Sequence, residues 1–116
     1  MHVVSSSQLG ASEDDIANAR RLMDGPDVRH YWDGERRLGK AVSARLGGLQ
    51  DPAWDVWLLY GPGVVWGDAP VIPAPDWWEH QLRALMDRHP DRHLDAERFA
   101  AKAAELSRRA LAAAVE

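Results

Sequence analysis

No cysteine occurs anywhere in the chain. That excludes disulfides, thiolate catalysis and sulfur-ligated metal, and it leaves the sequence silent on redox compartment. An excess of basic charge is lacking too. The formal net charge is −4, and the pairs Arg20-Arg21, Arg36-Arg37 and Arg108-Arg109 each stand near acids, so the electrostatic footprint of a nucleic-acid partner is missing. No apolar run approaches the ~18 residues that a membrane span requires. The N-terminal MHVVSSSQLGASEDD has neither a basic n-region nor a long apolar h-region, so it does not read as a secretory signal, and a cytoplasmic location is the default expectation. No glycine-rich phosphate loop is present either: Gly61-Pro62-Gly63 lacks the following helix and lysine. Ser5, Ser6, Ser7 and Ser12 lack a GxSxG setting and an evident base. Nothing in the sequence asks for a cofactor.

What is present suits an ordinary soluble domain. With 116 residues, of which 46% are apolar, the chain can close one core without a metal or disulfide staple. His2-Val3-Val4 reads as a short strand leaving into Ser5-Ser6-Ser7. Ser12, with Glu13, Asp14 and Asp15 behind it, is a helix start in which acids meet the positive end of the dipole. Ile16, Ala19, Leu22 and Met23 then recur at helical spacing until Gly25-Pro26. Val28–Asp33 alternates as a strand, with Val28, His30 and Trp32 on one face and Arg29, Tyr31 and Asp33 on the other. Asp33 can cap a second helix over about 35–46, closed by Gly47-Gly48.

The most strand-like stretch is Trp54–Tyr60, apolar on both faces and therefore expected at the centre of a sheet. Gly61-Pro62-Gly63 is a turn and Val64-Val65-Trp66 a short return, which predicts a hairpin over 54–66. A connector with three prolines, 67–75, follows. Asp76 and Glu79 have capping-box spacing, and Trp78, Leu82, Leu85 and Met86 predict a third helix running to about Arg88. A fourth, alanine-rich helix begins near Asp95. This gives a domain over 1–92 and an appended helix over 93–116.

This order, with Pro52 before AWDVWLLY, then GPG, VVW and DWWEHQLRAL, resembles the thioredoxin fold. VRHYWD with the helix after it, and AWDVWLLYGPGVVW, are similar to the distal part of uncharacterised bacterial thioredoxin-like proteins. The resemblance covers about residues 1–87. It implies an α/β fold: a mixed four-stranded sheet with flanking helices, plus the extra C-terminal helix, with Pro52 in a structural role. It also implies a CxxC motif that this chain does not contain. Either Val3-Val4 is the first strand of a complete core with SSSQLGAS in place of the redox loop, or it is an inner strand and a cysteine-bearing unit belongs upstream. In the second case an open sheet edge and self-association are expected.

Several residues invite a chemical role. His89 and His93 have helical ligand spacing, with Asp91 and Asp95 nearby, but Pro90 interrupts the face they would share, so no metal is expected. His80 beside Glu79 could serve as a general base, although adjacent helix residues diverge. His30 reads more simply as a satisfied interior histidine. Asp55, an acid inside an apolar strand, requires a partner such as Arg29 or Arg45, or a shifted pKa. Among the tryptophans, Trp32, Trp54 and Trp78 fall on buried stripes, Trp57 lies on the other covered face, and Trp66 and Trp77 stay near the surface. The expectation is thus a domain inert in thiol exchange, acting as a binding or scaffold module for a protein partner or a second copy. Ligand contacts would be at Trp57, Trp66 and Trp77. The alternative is a small enzyme using Asp55, His30 and His80 in a tryptophan-lined pocket.

Overall fold

The computed structural model describes residues 1–47, 52–67, 71–86 and 88–115. Strand β1 (His2–Ser6) pairs in parallel with β2 (Arg29–Asp33), from His2 against Arg29 to Ser6 against Asp33. The crossover between them carries two 3-10 turns and helix α1 (Ile16–Leu22). Alternation along β2 follows the pleat: His30 and Trp32 are half-buried, whereas Arg29 and Tyr31 are exposed. Helix α2 (Arg37–Leu46) comes next. Its first amides are held by Asp33, whose carboxylate accepts from Arg37 N–H at 2.9 Å and Leu38 N–H at 2.8 Å, relieving two of the unpaired donors at a helix start. Gly47 follows its end in the left-handed region, with φ 66°; Gly48 lies outside the described residues, as do residues 68–70 of the proline-rich connector.

Strand β3 (Val56–Leu59) was expected to pair with a return at 64–66. It pairs instead, antiparallel, with β4 (Trp77–His80), from Val56 against His80 to Leu59 against Trp77. Residues 64–66 form no strand, and Val65 is 83% exposed. The predicted third helix is therefore in part a strand, and the four-stranded mixed sheet of thioredoxin-like proteins is replaced by two separate two-stranded sheets. The physical reason lies in DWWEHQL. Trp78, His80 and Leu82 alternate with Trp77 and Glu79, so period two offers this stretch two faces to bury, which a solvated amphipathic helix does not need. The Asp76 and Glu79 side chains, read as helix caps, serve other donors. Asp76 accepts from Gly61 N–H at 2.7 Å, and its own amide donates to Leu59 O at 2.8 Å, extending the β3–β4 pairing by one bond.

One face of this hairpin, bearing Val56, Leu58, Trp78 and His80, looks toward α2. Here Val42, Ala53, Ile72, Trp78, Leu82 and Leu85 are buried, with Leu38, Leu46 and Trp54 packed against them. Burial of each large apolar side chain stabilises by about 1.5–3 kcal/mol. The opposite face, bearing Trp57, Leu59, Trp77 and Glu79, meets α3 (Ala96–Val115) through Phe99, whose ring stands edge-on to Trp57 at 6.1 Å. Among the described residues no helix is long and apolar enough to cross a membrane.

Candidate functional site

Strand β4 places four functional side chains in a row, two on each face. On the α3 side Glu79 is fully buried, with 0% exposure. Its Oε2 accepts from the Trp77 indole N–H at 2.6 Å, and its Oε1 from Asp95 N–H at 2.8 Å and Arg98 Nη2 at 3.0 Å. Burial is the largest single influence on Glu79 and pushes its pKa up. The Arg98 guanidinium, the Trp77 indole and the Asp95 amide together outweigh it, so the pKa lies below the ordinary carboxylate value. Glu79 also raises the pKa of Arg98. The same guanidinium donates to His93 O at 2.6 Å, while Arg98 N–H is capped by Asp95 Oδ1 at 3.0 Å. Three donors on one carboxylate leave it poorly placed to take a proton from a substrate.

On the core side His80 is also fully buried. Its Nδ1 accepts from Leu82 N–H at 3.1 Å and its Nε2 faces His89 O at 3.0 Å. An amide can only donate and a carbonyl can only accept, so the ring proton sits on Nε2 and both nitrogens are spent. The His93 ring stands edge-on at 5.9 Å and His89 stands edge-on to Trp78 at 5.1 Å. A 3-10 turn over Pro90–Arg92 separates His89 from His93, and among the described residues no group of three or more His, Asp or Glu could hold a metal ion.

Trp77 gathers cations. The Arg92 guanidinium lies 4.7 Å from the Trp77 ring centroid and 4.5 Å from that of Trp78, and donates through Nη1 to Trp78 O at 3.1 Å. Lys102 Nζ lies 4.6 Å from the Trp77 centroid and Arg98 6.0 Å. Arg98 is neutralised by Glu79 and lies in the field of Asp95 and Asp91. Among the described residues, Arg92 and Lys102 form no ion pair.

The three residues singled out for catalysis are not brought together. Asp55 is not inside a strand: it precedes β3, exposed, with a left-handed φ of 52°, and its carbonyl accepts from Gln81 N–H at 3.0 Å. Its side chain thus needs no buried partner. His30 lies against α1, where Nε2 donates to Met23 O at 2.8 Å and Nδ1 is buried without a partner. His80 is locked in β4. Asp55 lines a crevice of about 100 Å³ between β1, α2 and β3, in which Trp54 is the one tryptophan among the described residues. His30 lines a different groove, beside α1 and β2, with no tryptophan among its described lining residues.

Trp57 donates to Gln81 Oε1 at 3.1 Å, and Trp66 stands edge-on to Tyr60 at 5.4 Å. The Tyr60 hydroxyl donates to Pro73 O at 2.8 Å. Burial raises its pKa, Arg45 works against this and Asp76 adds to it. Pro52 packs beside Gly39 of α2; the Asp51–Pro52 peptide is outside the described residues. Of the ligand candidates, Trp77 alone stands among charged groups. Arg92, Arg98 and Lys102 were not anticipated, although the i, i+4 spacing of Arg98 and Lys102 puts them on one helix face. No family model, curated protein or solved structure matches the chain.

Proposed function

We propose that the chain is a binding module, and that its contact surface is the cationic aromatic face formed by Arg92 and Lys102 on Trp77, which takes an acidic segment of a partner protein. The observation that carries this reading is that both cations sit within 5 Å of one indole centroid without an ion pair among the described residues, while Glu79, Arg98 and His80 beside them are spent on internal bonds. A guanidinium stacked on aromatic rings keeps its in-plane N–H donors turned outward, the geometry suited to a carboxylate. Thiol exchange is closed to a chain without cysteine. An enzyme reading on Asp55, His30 and His80 has no shared cavity or hydrogen bond to support it.

The test is a nuclear magnetic resonance titration with an oligoglutamate peptide. The indole N–H of Trp77 and the amides around Arg92 and Lys102 are expected to shift, more weakly as salt is added. The double variant Arg92→Gln, Lys102→Gln should keep its spectrum dispersed and lose affinity by about tenfold or more, since each charge-assisted contact contributes about 1.5–3 kcal/mol. Shifts spread over the whole surface, or retained in the double variant, would count against the reading.

A further inference from the structure

The turn that carries Arg92 hangs on His80. The ring lies in β4, fully buried, and its Nε2–H donates to His89 O at 3.0 Å. The His80 carbonyl accepts from Leu94 N–H at 2.8 Å, and His80 forms an isolated parallel bridge with His93. Both ends of the 3-10 turn over Pro90–Arg92 are therefore fastened to one residue. Between them Arg92 N–H donates to His89 O at 3.1 Å, and Arg92 Nη1 reaches Trp78 O at 3.1 Å. This sets the guanidinium on Trp77 and Trp78.

The ring fits this position only while neutral. Nδ1 accepts from Leu82 N–H at 3.1 Å, and a second ring proton would set two donors against each other there. The partners of the two nitrogens are an amide and a carbonyl, so no carboxylate compensates a charge on the ring, and burying an unpaired cation is costly. On the turn, His89, Arg92 and His93 lie against β4, with Asp91 exposed beside them and the His93 ring edge-on to His80 at 5.9 Å. Across β4, Glu79 and Arg98 neutralise each other at 3.0 Å. Asp55 ahead of β3, and Arg83 and Arg88 after β4, are exposed. The core contributes apolar groups, Val42, Leu82 and Leu85 among them.

We propose that His80 is an acid-sensitive latch: on protonation it frees the 89–93 turn and takes Arg92 off Trp77 and Trp78. Its consequence for partner binding rests on the reading of the Trp77 face given above; the latch itself does not. The closed site has no place for a second ring proton, so only the open form takes one, and acid favours opening. His93 is exposed and can take a proton without any opening.

The test is amide hydrogen exchange of the free protein at pH 7.5 and 5.5, with each rate compared with the intrinsic rate at that pH. An exposed imidazole passes from mostly neutral to mostly charged over this interval, so the open population should rise about tenfold. Protection of the Leu82 and Leu94 amides should therefore fall about tenfold. At pH 5.5 both should exchange faster than the amides that pair β3 with β4. His80→Gln keeps one donor and one acceptor but takes no proton, and should abolish the drop, whereas His89→Gln and His93→Gln should keep it. The wild-type measurement decides even where a variant does not fold. No drop in the wild type, a drop that survives His80→Gln or is lost in either other variant, or exchange no faster than that of the β3–β4 amides would each overturn the latch. No peptide enters this experiment, so a failed oligoglutamate titration would strike the Trp77 reading and leave the exchange result standing.

Discussion

A carboxylate with no solvent contact keeps its charge only where donors replace the lost water, and Glu79 has three such donors. Because its folded-state pKa lies below the ordinary value of 4.5, the stability it contributes is complete above that pH. It is lost as pH falls through the lower, folded value, when the unfolded chain binds the proton more readily. Glu79→Gln keeps the shape and removes this linkage. The gap in melting temperature between wild type and variant should therefore be widest above pH 4.5 and narrow on acidification; a constant gap would show that the charge of Glu79 is not the stabilising feature. Charges elsewhere in the chain are common to both proteins, so the difference isolates Glu79. None of this was legible in EHQL: Glu79 looked like a helix cap, because two of its three donors come from Asp95 and Arg98, far along the chain. Asp55 erred in the opposite sense. Alternation placed it in a strand interior, where it would have needed a partner, but the strand begins one residue later and a left-handed turn leaves it exposed.

Elements built from local signals formed near where the residues indicate: the Asp33 cap, the β1–α1–β2 crossover and a strand within Trp54–Tyr60, which is shorter than expected and covers only Val56–Leu59. Those that depend on choosing a partner did not. WWEH fits a helix stripe through Trp78, Leu82 and Leu85 and fits period two equally well, and only the availability of β3 decides between them. Close approach of α2 to the segment before β3 was equally hidden. Ala53 N–H donates to Gly39 O at 3.0 Å, and a Cβ on Gly39 would lie 2.6 Å from Ala53 O and 2.9 Å from Pro52 Cβ. Helix propensity favours alanine over glycine by about 1 kcal/mol. The shorter contact falls on backbone and the other on a proline ring, neither of which can step aside by a rotamer change, and overpacking of this kind costs about 1–3 kcal/mol or more. The clash should win, so Gly39→Ala is expected to lower the midpoint of urea denaturation despite the better helix former. A raised midpoint would mean that α2 stands further from Pro52 and Ala53 than described.

At the scale of the whole molecule, the two sheets are unequal partners. Among the residues whose burial is described, those that are buried all lie between Val42 and Leu85, and none falls within 1–33. The β1–α1–β2 unit is tied on mainly at its end, where Arg36 donates to Ser7 Oγ at 3.1 Å and Ser7 O at 2.8 Å and the Ser7 hydroxyl donates to Gly34 O at 2.9 Å. Arg36 does so from a left-handed φ of 58°, a conformation that costs a non-glycine residue free energy and persists only where its surroundings hold it. Local opening follows burial, so hydrogen exchange should divide the molecule. Amides of β3 and β4 should exchange at the rate of global unfolding, and those of β1 and β2 faster, through an opening that leaves the α2 core closed. Arg36→Ala cuts the tie between Ser7 and the start of α2. It should accelerate exchange in β1 and β2 while leaving β3 and β4 unchanged. If all four strands slow and quicken together in both proteins, the molecule unfolds as one unit and the groove beside His30 is as rigid as the core; if they divide, that groove opens and closes with the more mobile half.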